Sequence, residues 1–240
     1  MFFVDAVFIL YNKDMEFKHF FGIPAQNIKQ NCIICQSYDL PLFAENSENG
    51  FFVKTAETDK AVVIALKNNF LAGDAVLYLK NTACRNIFLF GSCGGCGDVE
   101  SGDLLMIDKA YNLESFSKMA AFDANMEYIS SSKELTSSFY KKNLYEDLIK
   151  TNSACVSSLI LESKYINRFK EKRICAIDME SSIVFSAAKE IGAQAACFMY
   201  AADHIEKNPL GETPHDSLKK KISSARKKLA RMITDFINAE

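Results

Sequence analysis

Residues 171–206, EKRICAIDMESSIVFSAAKEIGAQAACFMYAADHIE, decide the fold. Asp178-Met179-Glu180 closes a short polar approach and opens a helix in which Ile183, Val184, Ala187 and Ala188 recur at helical spacing. That helix should end at Gly192. A second apolar run, Ala195 to Ala202, reads as a buried strand delivering Asp203-His204 at its carboxyl end, the edge of an α/β sheet where ligands bind. Helix start and strand end therefore face one pocket, with Glu180 and Asp203 where one small molecule can touch both.

Working back from there, Asn86-Ile87-Phe88-Leu89-Phe90 is a buried-strand run followed at once by Gly91-Ser92-Cys93-Gly94-Gly95-Cys96-Gly97 and then by Ser101-Gly102-Asp103-Leu104-Leu105-Met106-Ile107. Such dense glycine lets backbone N–H groups close around a ligand, or lets a strand turn sharply. A dinucleotide fingerprint would need the glycines to open a helix, with an acidic residue about 20 positions on. Here they run into another strand.

The remaining runs extend the pattern. Strands are expected at Phe3 to Leu10, Cys32 to Ser37, Ala61 to Leu66, Leu104 to Asp108 and Ala154 to Leu161, and helices at Asp14 to Phe21, Ala72 to Asn81, Ser132 to Ile149, Ser181 to Ile191 and Ser217 to Asn238. The alternation implies an α/β fold, a mixed central sheet flanked by helices on both faces. Residues 40–60 and 112–131 are polar and poorly periodic, and are expected to be loops or lids. A chain of 240 residues with 49% hydrophobic content suits one domain over 1–240.

Composition narrows the function. A formal charge of −2 argues against a nucleic-acid surface. Lys219-Lys220-Lys221 and Arg226-Lys227-Lys228 read as the solvated side of a C-terminal helix whose buried side carries Ile222, Leu229, Met232, Ile233 and Phe236. No segment approaches the roughly 18 apolar residues that span a bilayer. No basic leader follows Met1-Phe2-Phe3-Val4-Asp5, so a cytoplasmic setting is expected. The eight cysteines lie mostly in apolar strands or small-residue turns and read as reduced thiols. Cys32 and Cys35, three apart in a strand, point to opposite faces, which opposes shared metal ligation; no metal or cofactor is expected.

The strand ending in Gly91-Ser92-Cys93-Gly94-Gly95, Gly102-Asp103, Asp178-Met179-Glu180 and Asp203-His204-Ile205 together resemble, in order and spacing, the nucleoside phosphorylase and nucleosidase superfamily over about residues 4–235. That superfamily includes bacterial purine nucleoside phosphorylase, uridine phosphorylase and methylthioadenosine/S-adenosylhomocysteine nucleosidase. The resemblance implies a three-layer αβα sandwich, a small-molecule nucleoside as partner, and cleavage of its N-glycosidic bond. It implies roles as well. Asp203 would hydrogen-bond or protonate a purine at N7, Glu180 would accept from the ribose 2′- and 3′-hydroxyls, and Met179 would pack against the ring. Gly91, Ser92, Cys93 and Gly94 would shape the sugar or phosphate side, and Leu161 would stand where the family stacks an aromatic on the base.

Water or phosphate as nucleophile turns on arginine, whose guanidinium fork holds a phosphate dianion best. The five arginines begin at Arg85, and the positions where the family's phosphorylases place theirs are Glu16 and Leu89 here. Glu16 aligns with the glutamate that positions or activates water in the nucleosidases, since a carboxylate can accept a proton. Hydrolysis is therefore expected, with phosphorolysis through lysines or a neighbouring subunit as the alternative. Two departures, Ala202 where the family has Ser and Leu161 where it has Phe, leave open a noncatalytic nucleoside-binding protein. The resemblance further implies a homodimer, or a hexamer for a phosphorylase.

Overall fold

The apolar runs form one mixed sheet, seen in a computed structural model that describes residues 15–121, 127–142, 147–209 and 211–239. The strands are β1 (Asn31–Gln36), β2 (Glu48–Asn49), β3 (Val53–Glu57), β4 (Ala61–Leu66), β5 (Asn86–Gly95), β6 (Leu104–Leu113), β7 (Tyr128–Ser130), β8 (Leu148–Val156), β9 (Ile174–Asp178) and β10 (Gln194–His204). Residues 15–21 are helical (α1), followed by α2 (Ala72–Leu77), α3 (Phe116–Ala121), α4 (Lys133–Lys141), α5 (Ile166–Glu171), α6 (Ser181–Ile191) and α7 (Asp216–Asn238). Parallel pairs β4–β1–β5–β10 make the middle, and β3 and β2 extend it antiparallel. From β10 the sheet runs through β6, β8 and β9 and returns to β5, so five strands close into a ring.

Strand residues alternate between two cores, as a pleated strand requires. Cys32, Ile34, Leu89 and Cys197 pack with α2 and α6, while Ile33, Cys35, Phe88 and Phe198 pack with Leu229, Ile233 and Phe236 of α7. Cys32 and Cys35 thus occupy opposite faces. The result is the expected three-layer αβα arrangement. Helix α6 is buried along nearly its whole length and ends at Gly192, whose φ of +74° is the left-handed conformation that glycine adopts without penalty. No described helix is long and apolar enough to cross a membrane.

Several expected elements differ. The stretch 40–60 is not a loop: β3 pairs with β4 on an edge of the sheet, and its Thr55 is fully buried although polar, which hid the alternation. Within 112–131, α3 and β7 form. The helix expected to reach Ile149 stops at Lys141, because Leu148 and Ile149 pair with Leu104 and Leu105 at the start of β8. Sheet pairing there overrides local periodicity. β8 accordingly begins before Ala154 and ends at Val156 rather than Leu161, and β9 takes the stretch read as a polar approach. The strand expected at Phe3 to Leu10 lies outside the described residues.

Candidate functional site

Five strand ends and one helix start converge on a cavity of about 260 Å³. β9 delivers Asp178, which is buried at the start of α6. Its Oδ1 accepts from the N–H groups of Glu180 (2.8 Å) and Ser181 (2.7 Å), and its Oδ2 from Ser181 Oγ (2.6 Å). Ser181 Oγ in turn meets Ser153 Oγ at 2.8 Å. Asp178 therefore satisfies the free N–H groups at the helix start, and this releases Glu180 from capping. The Glu180 carboxylate instead takes Nε2 of Gln36 on Oε1 (3.0 Å) and the N–H of Met179 on Oε2 (3.3 Å). Burial, and next the charge of Asp178, push the Glu180 carboxyl up to about 8.

The other acidic wall is built by space rather than by hydrogen bonds. β10 carries a bulge between Ala201 and Asp203, which turns Asp203 towards Gly94 of the parallel neighbour β5. A Cβ on Gly94 would stand 2.9 Å from Asp203 Oδ1. Glycine leaves room for the carboxylate in this position, and any side chain there would make it shift. Burial raises the proton affinity of Asp203. The glycine stretch is thus not a free loop: Gly94 and Gly95 stay in β5, paired with Ile177 and Ala176 of β9.

Most residues singled out in the sequence meet here. Asp203, Glu180, Met179, Gly91, Ser92, Cys93 and Gly94 all line the cavity, as do Leu89 and Ala202. Burial drives the Cys93 thiol well above its ordinary range, so it behaves as an apolar wall. His204 is fully buried and committed: Nδ1 accepts from the N–H groups of Glu206 (3.1 Å) and Lys207 (3.2 Å), which leaves Nε2 to donate to the carbonyl of Gly97 at 3.3 Å. Asp103 organises a turn by accepting the N–H of Glu100.

Two residues are placed elsewhere. Leu161 does not line the cavity; Leu159 does, because β8 ends at Val156 and the chain turns beside the cavity there. Glu16 is exposed on α1, whose Phe17, Phe20 and Phe21 face the core, and it is absent from the cavity wall. The physical reason is topological. β1 is the parallel neighbour of β5 on the side opposite β10 and its end opens on the cavity, so Gln36 and Tyr38 occupy the place that the alignment through Glu16 assigned to the loop after an earlier strand.

Gln36, Tyr38, Asn69 and Leu159 were not foreseen as site residues, although the first ends a legible strand, the second lies just beyond it, and both obey the strand-end rule. Glu162 was also missed: half-buried near Asp203, its carboxyl is pushed up to about 7 by burial first and by the Asp203 charge second.

Among the described residues the cavity wall holds Asp178, Glu180 and Asp203 and no lysine, arginine or histidine. Arg226 is engaged behind Tyr38, donating to Asp39 Oδ1 and to the Tyr38 carbonyl oxygen, both at 2.6 Å. A second cavity of about 290 Å³ does contain Arg168 and Lys172, but both face Glu127, at 3.9 and 2.8 Å. The first cavity combines paired acids, a backbone-rich glycine wall and apolar side chains, which suits recognition of a polyol carrying a flat heterocycle.

A family model described as the phosphorylase superfamily matches residues 44–238. No curated protein matches the chain. Uridine phosphorylase from Vibrio fischeri ES114 superposes with a TM-score of 0.71 at 16% identity, covering 90% of this chain and 94% of that one. AMP nucleosidase from Bacteroides thetaiotaomicron superposes with 0.71 at 13% identity, covering 92% and 97%. The 5′-methylthioadenosine/S-adenosylhomocysteine nucleosidase of Campylobacter jejuni gives 0.69 at 14% identity, covering 88% and 100%.

Proposed function

Because the chain belongs to the phosphorylase superfamily, we propose that it cleaves the N-glycosidic bond of a purine nucleoside with water as the nucleophile. The observation that carries this reading is the cavity wall, which presents Glu180 and Asp203 and, among the described residues, no cation. Phosphate as co-substrate would be a buried dianion beside acidic groups with no described cation in the wall to pair with it, an arrangement with a large desolvation cost. The same argument disfavours a 5′-phosphate on the substrate, so a nucleoside is proposed rather than a nucleotide.

Breaking the bond from C1′ to the base leaves positive charge on the sugar and negative charge on the base, and each end needs its own stabilisation. Glu180 takes the ribose hydroxyls and its carboxylate stabilises the cationic ring. Asp203 gives a proton or a hydrogen bond to the departing purine; burial, by raising its proton affinity, favours that role. Water adds hydroxide to C1′ and returns its proton to the protein, so the products are free ribose and free base. Met179 and Leu159 supply apolar contact for the sugar and base. Ala202 offers no hydroxyl to orient Asp203, and among the described residues no donor reaches that carboxylate; a freely turning acid can still serve as a proton donor. Phosphorolysis is the competing reading, favoured by the likeness to uridine phosphorylase.

A panel of purine and pyrimidine nucleosides, with and without phosphate, tests the choice. Free base and free ribose at a rate independent of phosphate support hydrolysis. Ribose 1-phosphate formed only with phosphate replaces it by phosphorolysis, and binding without turnover replaces it by a noncatalytic role.

A further inference from the structure

We infer that Gln36 is the positioning residue for Glu180: its carboxamide, at the end of β1, sets the direction of the carboxyl group and favours the ionised form that can accept from a diol. The ligand in this statement rests on the nucleoside reading above; the geometry does not. Gln36 Nε2 donates to Glu180 Oε1 at 3.0 Å across 144 positions of sequence, and both side chains line the cavity. Each carboxylate oxygen thereby has one protein donor, Gln36 on Oε1 and Met179 N–H on Oε2. A carboxylate accepts at about four sites, so an outward lone pair on each oxygen is left for two adjacent hydroxyls.

The surroundings explain why a donor is needed. Asp178, on the same strand end, repels the Glu180 charge, and the Tyr38 phenol and Cys197 thiol also lie within its electrostatic reach. Two groups oppose this burial and repulsion, the Met179 N–H and the Gln36 amide. Any residue at position 179 other than proline would supply the first. Only the side chain chosen at position 36 supplies the second. Gln36 also has a second N–H and a carbonyl oxygen, so it can track a sugar hydroxyl while holding Glu180.

The test is an NMR titration of protein carrying carboxyl-13C glutamate, with Glu180→Gln identifying the Glu180 signal. Gln36→Leu keeps the volume and removes the donor, and should move the Glu180 midpoint upward by about one to two pH units. Gln36→Glu should move it further, since it adds a second carboxylate. Both variants should raise KM for the nucleoside more than they lower kcat. In the unaltered protein the Gln36 side-chain NH2 resonances should shift with the Glu180 midpoint, a readout that needs no substitution. An unmoved midpoint in folded Gln36→Leu, or Gln36 amide signals blind to that titration, overturns the inference. The titration needs no substrate: a protein that releases no base yet shows the shift supports the positioning role and sinks the nucleoside reading instead.

Discussion

The two acidic walls of the cavity are made in opposite ways. Glu180 is wired: Asp178 takes over the capping of α6, Gln36 and Met179 hold the carboxylate oxygens, and Ser153 and Ser181 extend the network below. Asp203 is instead given room, by a bulge in β10 and a glycine opposite it in β5. A wired carboxylate suits an anchor that must not move during reaction. A carboxylate with space around it suits a group that gains and loses a proton as the base departs.

That contrast can be broken at its sharpest point by Asp203→Asn, which removes the proton donor and should lower kcat roughly 10²–10⁴-fold with little change in sugar affinity. An equal loss of affinity would erase the distinction between mover and anchor. Gly94→Ala comes next: the added methyl sits 2.9 Å from Oδ1, and displacing the acid should cut turnover by up to about 10²-fold. A crystal structure of that variant should show Asp203 rotated from the cavity, and an unmoved carboxylate with full activity would refute the role given to the glycine.

Glu180→Gln sharpens the comparison from the other side. It should raise KM strongly and alter the pH dependence of stability. With its folded-state value near 8 against an ordinary 4.5, Glu180 makes the folded chain bind more protons than the unfolded chain between those limits. Stability contributed by that proton is whole below pH 4.5 and drains away as pH rises towards 8. Glutamine removes the drain, so the variant should be the more stable protein at pH 8 by on the order of 1–3 kcal/mol, and the advantage should vanish near pH 4.5. Melting curves at the two pH values decide it. The smallest effect is expected for Glu16→Gln, an exposed position outside the cavity wall: activity within about threefold and stability within roughly 0.5 kcal/mol. A drop comparable to that of Asp203→Asn would return Glu16 to the site.

The acidic pair is legible in the sequence because each member adjoins a strong local signal. Asp178-Met179-Glu180 precedes an apolar helix stopped by Gly192, and Asp203 ends an apolar strand; α6 runs from Ser181 to Ile191 as the periodicity requires. β4 likewise spans Ala61–Leu66, a continuous buried run. Elements at the margin were harder to see. β3 mixes polar and buried residues, β9 is short, and β8 begins inside what reads as a helix.

Residue type and periodicity act over a few turns or strand positions, and at that range they settled the buried runs, the two-faced sheet and the presence of two carboxylates beside a glycine-rich strand. Which strand stands next to β5 is a matter of long-range pairing. Hydrogen bonds between backbones carry no record of it in either partner's local sequence. That pairing put β1 at the cavity and brought Gln36 to Glu180, while the end of β8 at Val156 set Leu159 rather than Leu161 against the cavity. Gly94 makes the same point in reverse: its value lies in the side chain across from it, and only the folded register of β5 against β10 puts Asp203 there.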